Sequence, residues 1–167
     1  MKEFIQKHKL FSFYTALMLV IVFIAIFAPW LAPGDAFTSD MTKALQAPSA
    51  QHWFGTDKLG RDVLSRIIYG TQLSLFMGVS IVVIMVSIGT VIGAVAGYFG
   101  GKVEMVLMRL ADIMLSFPGV VLAIAIAGIL GGSIVNTILA LSVVGWAKYA
   151  RLVRSMTLKV RGEEYVT

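Results

Sequence analysis

The sequence predicts an all-α fold, a polytopic membrane helix bundle of four spans with an external amphipathic helix. Three observations predict it. Of the 167 residues, 58% are hydrophobic and only 14% charged, against about 25% charged in soluble domains. Mean hydropathy is +0.87. The charges also gather at the ends of long apolar runs, each at least the roughly 20 residues that a helix needs to cross about 30 Å of hydrocarbon. Lipid, rather than a small soluble core, is the environment that can cover so much apolar surface.

Span 1 falls in residues 10–31, which carry no charge and follow Lys2, Lys7 and Lys9. A secretory signal peptide opens similarly, but its apolar region is usually about 7–15 residues. Gly34-Asp35-Ala36, the best cleavage site nearby, is a poor one. Arg66 and Lys102 enclose a second charge-free run, which places span 2 within 73–97. Asp112 and Lys148 enclose a third. There "ILGGSIVN" (129–136) reads as a tight turn between span 3, about 104–129, and span 4, about 134–153. Pro118 lies inside span 3, where it removes one backbone hydrogen bond and predicts a kink.

Ten of the 14 Lys and Arg residues then fall on one side: Lys2, Lys7 and Lys9; Lys102 and Arg109; Lys148, Arg151, Arg154, Lys159 and Arg161. The 32–72 loop holds only Lys43, Lys58, Arg61 and Arg66. By the positive-inside rule both termini are cytoplasmic and the 32–72 loop is external. Basic residues placed this way suit a bilayer, and no nucleic-acid partner is expected.

The densest polar stretch is "HWFGTDKLGRDVLSR" (52–66). Asp57/Arg61, Lys58/Asp62 and Asp62/Arg66 are spaced i,i+4, and Leu59, Val63 and Ile67 fall four apart with Leu64 and Ile68 beside them. That pattern predicts an amphipathic helix at the interface, capped by Thr56 or Asp57. Trp53 and Phe54 suit the headgroup level. Gly89, Gly93 and Gly97 form G-x-x-x-G-x-x-x-G, which lets two helix backbones approach closely in lipid. Arg109 and Asp112, i,i+3, are expected to pair. The nine methionines read as packing residues. His8 and His52 fall on opposite sides of the membrane and the chain has no cysteine, so no metal site and no cofactor is expected. No catalytic set assembles, and no P-loop motif is present, so no enzyme activity is assigned to this chain.

Three stretches carry a resemblance. "HWFGTDKLGRDVLSRIIYGTQLSL" (52–75), "AGYFGGKVEMVLMRLADIMLSFPGVVLAI" (96–124) and "WAKYARLVRSMTLKVRGEEYV" (146–166) resemble the signatures of permease subunits of bacterial ABC importers of the dipeptide/oligopeptide/nickel class, second-permease type. The resemblance implies an inner-membrane protein that forms half of a translocation path with a second permease subunit. It further implies two cytoplasmic ATPase subunits and an extracytoplasmic solute-binding protein as partners. It assigns Gly55, Thr56, Asp57, Gly60, Arg61 and Asp62 to the external signature. Arg151, Arg154, Glu163, Glu164 and Tyr165 become the start of the ATPase-facing segment. Gly89, Gly93, Gly97 and Pro118 remain helix-packing residues.

The expected organisation is therefore four segments. Residues 1–31 hold the cytoplasmic N-terminus and span 1, 32–72 the external loop, 73–153 spans 2–4, and 154–167 the start of a cytoplasmic coupling segment. The family pattern continues past Glu164 with two alanines, a glycine and about two more spans, so the chain reads as a truncated copy. "WAKYARLVRS" leans toward nickel-type members. The rival readings are an ATP-independent channel, a scaffolding tetraspan, or a permease fragment without function of its own.

Overall fold

In the computed structural model, residues 9–162 are described, and every regular element among them is helical. In chain order these are α1 (Lys9–Ile26), α2 (Ala28–Leu31), a 3-10 turn (Met41–Lys43), α3 (Val63–Phe99), α4 (Gly101–Ser116), α5 (Gly119–Leu130) and α6 (Ile134–Arg161). The chain divides into two compact units, Met1–Phe76 and Met77–Thr167.

In the first unit, α1 buries only Ala25, while Leu10, Phe13, Leu17, Val20 and Phe23 stand exposed along it. A helix apolar all round, with so little of it covered by protein, suits a lipid surround. Pro29 follows at the start of the short α2, where a missing N–H costs nothing. The rest of the unit is the loop 32–62 folded against the start of α3.

Here the structure corrects the expected amphipathic helix. Residues 52–62 form tight turns, and regular helix begins only at Val63. Gly55 (φ 71°) and Gly60 (φ 75°) occupy left-handed backbone. A Cβ at Gly60 would collide with the Asp40 carbonyl, and one at Gly55 with the Gln46 carbonyl. The i,i+4 spacing of charges is genuine, but it serves a turn rather than a helical face.

In the second unit, Gly100 and Gly101 (φ 65° and 54°) turn the chain sharply from α3 into α4. The expected single kinked span 3 is instead two helices, α4 and α5, meeting at a 90° bend. Pro118 cannot donate a backbone hydrogen bond, and Phe117 before it is extended (ψ 147°), as a residue preceding proline prefers. The turn between α5 and α6 falls where the sequence placed it. Ser133 caps α6 by accepting the Asn136 N–H at 3.1 Å, and Asn136 Nδ2 donates back to the Leu130 and Gly131 carbonyls at 2.6 and 3.0 Å.

Among the described residues, α1 and α3 are long and apolar enough to cross a membrane, and α4 with α5 adds a third if the bent pair is one span. α3, expected within 73–97, is longer at 37 residues, about 55 Å at 1.5 Å per residue. α6 also extends beyond its expected end and carries five Lys and Arg in its last half. The core of this unit is Ala111, Trp146, Ala147 and Ala150, with Ile92, Met108, Met114 and Leu115 against it.

Candidate functional site: an aspartate-centred loop and a helix clasp

Two aspartates organise the loop. Asp57 Oδ1 accepts the Leu59 and Arg61 N–H groups at 2.8 and 3.0 Å, and Oδ2 accepts Arg61 Nε at 2.9 Å and Nη2 at 2.7 Å. Arg66, one helical turn into α3, adds its Nη1 to the same oxygen. The Arg61 side chain, then burial working the other way, then the backbone and Arg66 bonds, set the Asp57 acidity; the net result lies well below the usual carboxylate range. Arg66 therefore pairs with Asp57 rather than with Asp62.

Asp62 is 2% exposed. Its Oδ2 accepts the Ser65 N–H at 2.7 Å, which makes Asp62, rather than Thr56 or Asp57, the cap of α3. Oδ1 lies 3.0 Å from His52 Nδ1, so the expected Lys58 pair does not form. Burial raises the Asp62 pKa, but the Ser65 and His52 bonds outweigh it and the net shift is downward. Ser65, itself fully buried, accepts the Gly34 N–H on Oγ at 2.9 Å. Thr56 ties the two edges of the loop: its Oγ1 accepts the Gln46 N–H at 2.8 Å and donates to the Lys43 carbonyl. Phe37 stacks edge-on against Tyr69, centroids 4.9 Å apart. All six external-signature residues thus meet in one loop. His52 and Ser65, which complete it, carry no local signal in the sequence because His52 meets Asp62 10 residues on and Ser65 meets Gly34 31 residues back.

In the second unit the glycine stripe is a helix contact. A Cβ at Gly89 would lie 2.5 Å from the Tyr149 Cβ and 2.8 Å from the Trp146 carbonyl. One at Gly93 would strike the Ala150 carbonyl, and one at Gly97 would lie 2.7 Å from the Thr157 Cβ. In return Met85 fills the notch left by Gly145. Partners on α6 rise in step with positions on α3, so the two helices run parallel with backbones in close approach. Arg161 Nη1 donates to the Tyr98 carbonyl at 3.1 Å, which levels their ends.

α4 crosses against α6 and is clasped by two ion pairs. Arg154 Nε lies 2.6 Å from Glu104 Oε1, and Arg151 pairs with Asp112. The expected Arg109–Asp112 pair is therefore displaced: Asp112 faces α6, and Arg109 has no ion pair among the described residues. Between α4 and α6 lies a cleft of about 490 Å³ lined by Arg109, Met105, Met108 and these ion pairs. Gly119, just past Pro118, rests on Val144 of α6. Glu163, Glu164 and Tyr165 lie outside the described residues. No group of three or more His, Cys, Asp or Glu side chains able to hold a metal occurs among the described residues.

An all-helical chain with membrane-length apolar helices, a glycine-packed helix pair and a basic helix end defines a membrane-embedded bundle component. Residues 89–167 match the family described as binding-protein-dependent transport system inner membrane component, and residues 5–48 match the N-terminal TM domain of oligopeptide transport permease C. The chain belongs with the permeases of the peptide and nickel class of ABC importers. It is 42% identical to a dipeptide transport system permease protein of Alkalihalophilus pseudofirmus, over 97% of this chain and 53% of that protein. It is 39% identical to the nickel transport system permease protein of Escherichia coli K12, over 88% and 53%. It is 41% identical to the glutathione transport system permease protein of Escherichia coli O6:K15:H31, over 99% and 54%. The chain spans about half the length of these relatives.

Proposed function

We propose that this chain acts as a transmembrane permease subunit of an ATP-driven importer for peptides or nickel, forming part of the translocation path and relaying motion from ATPase subunits. The parallel contact of α3 with α6 carries the reading. Two neighbouring helices that run the same way need a return crossing between them, which α4 and α5 together supply. That supports four spans, with α6 crossing beside α3 and both termini cytoplasmic, in the bacterial inner membrane. The polar half of α6 is sheltered by α4 and by its own end at the headgroups, so it does not need the apolarity of a lone span.

In this arrangement the basic end of α6 leads directly to Glu163, Glu164 and Tyr165, the proposed contact with an ATPase subunit. Backbone-close packing on α3 and two ion pairs to α4 make α6 a stiff rod. A push at its cytoplasmic end then moves α3 and α4 with it, as alternating access requires. The external loop, held to α3 by Asp62 and Asp57, faces the solute-binding protein. ATP hydrolysis belongs to the partner subunits. The relatives' names include dipeptide, nickel and glutathione transport, and the cargo proposed here is a short peptide or nickel.

The test is co-purification of the tagged chain with the ATPase and second permease encoded beside it, paired with uptake of labelled dipeptide or nickel. ATP-dependent uptake that requires this chain supports the reading. Uptake or conductance that persists without any ATPase would replace it with an ATP-independent channel.

A further inference from the structure

We propose that the cleft between α4 and α6 holds the phosphate of an anionic phospholipid, with Arg109 as its principal donor. The argument starts from charge. Three arginines and two acids line the cleft. Glu104 engages Arg154 and Asp112 engages Arg151, which leaves Arg109 as the surplus cation among the described residues. Guanidinium is the side chain best matched to two phosphate oxygens at once.

Depth adds a second line. A hydrocarbon core takes about 20 residues of helix. Centred on the 37-residue α3, that length ends near Val91. The α3–α6 register, Gly89 against Tyr149 and Gly93 against Val153, sets Val91 level with Arg151. The cleft therefore opens where the hydrocarbon ends. A lipid phosphate occupies that depth.

The surface around Arg109 is the third. Val106, three residues before it, and Ile113, four after, share its side of α4 and are both exposed. The cation thus sits at the seam between a polar cleft and an apolar stripe, which suits an amphiphile with an anionic head. A basic pocket between membrane helices on the cytoplasmic side is a known form of lipid headgroup site. Assignment to the inner leaflet rests on the four-span topology proposed above.

The test is native mass spectrometry of the full chain in detergent with equal amounts of dioleoylphosphatidylglycerol and dioleoylphosphatidylcholine. The unaltered chain should retain the anionic lipid about fivefold over the zwitterionic one, the effect of roughly one well-placed cation. Arg109→Gln should abolish that preference and Arg109→Lys should keep part of it. Lys102→Gln, on the same helix but outside the cleft lining, should leave it intact. Equal retention of the two lipids by the unaltered chain, or an undiminished preference in Arg109→Gln, overturns the proposal. So does displacement of the lipid by millimolar inorganic phosphate, which would assign the cleft to a free anion. The readout is bound lipid rather than uptake, so its failure leaves the importer reading standing.

Discussion

Asp62 reaches both the Ser65 amide, at 2.7 Å, and the His52 imidazole, at 3.0 Å, and so fixes where α3 begins. The same carboxylate starts the longest helix among the described residues and closes the 32–62 loop. Asp62→Ala should destabilise the loop and the first turn of α3 by about 1–2 kcal/mol, the range for loss of a helix cap. Asp62→Asn keeps an oxygen for Ser65 and should lose less. Thermal unfolding in detergent, followed by circular dichroism, checks both.

Acid should loosen the same loop. The pKa of Asp62 and Asp57 is lower in the folded loop than the ordinary value of about 3.9, and that of Asp35 lies at about 2. Groups with depressed folded pKa values contribute stability that is full above the ordinary value and lost as pH falls toward the folded ones. Proteolysis of the 32–62 loop should be unchanged between pH 8 and about pH 5, and should accelerate only below about pH 4. Acceleration near pH 6 would contradict this assignment.

Glycine substitutions separate contact from composition. Gly93→Ala drives a methyl into the Ala150 carbonyl, and Gly89→Ala meets Tyr149. Each should cost about 1–3 kcal/mol, the usual range for overpacking. Gly78, on the same helix, has nothing within 4 Å of an added Cβ. Gly78→Ala should be neutral or stabilising by up to about 1 kcal/mol through helix propensity. Differential unfolding of the three variants reads this out.

The apolar helices α1 and α3, the α5–α6 turn and the glycine contact are legible in the sequence, because each is written in hydropathy or in residues close along the chain. The cassette at 52–62 misleads for the same reason. Spacing of i,i+4 marks a helix face only if the backbone is helical, and Asp57 spends its carboxylate on the Leu59 and Arg61 amides instead. The partner of Asp112 is not legible, because it is Arg151, 39 residues on, rather than Arg109 one turn away. The depth of the break at Pro118 is not legible either. A proline alone predicts a kink, whereas Phe117 in extended backbone turns the chain through 90°.

Charge exchange distinguishes the two kinds of ion pair. Asp112 and Arg151 are half-exposed and meet only through their side chains, so Asp112→Arg with Arg151→Asp should restore the stability that either single change loses. Exchange of Asp57 and Arg61 should not, because arginine cannot accept the two loop amides that Asp57 binds. Double-mutant cycles on thermal unfolding compare the two.

The central claim is that α3 and α6 cross the membrane in the same direction, and cysteine accessibility tests it most directly. The chain has no cysteine, so single Lys58→Cys, Gly132→Cys, Lys102→Cys and Lys159→Cys variants can be labelled in intact cells, outer membrane permeabilised, with a maleimide that does not cross the inner membrane. The account predicts labelling of the variants at 58 and 132 from outside, and of those at 102 and 159 only after the inner membrane is opened. Protection at 132 together with labelling at 58 would mean that α4, α5 and α6 do not cross, and would contradict it.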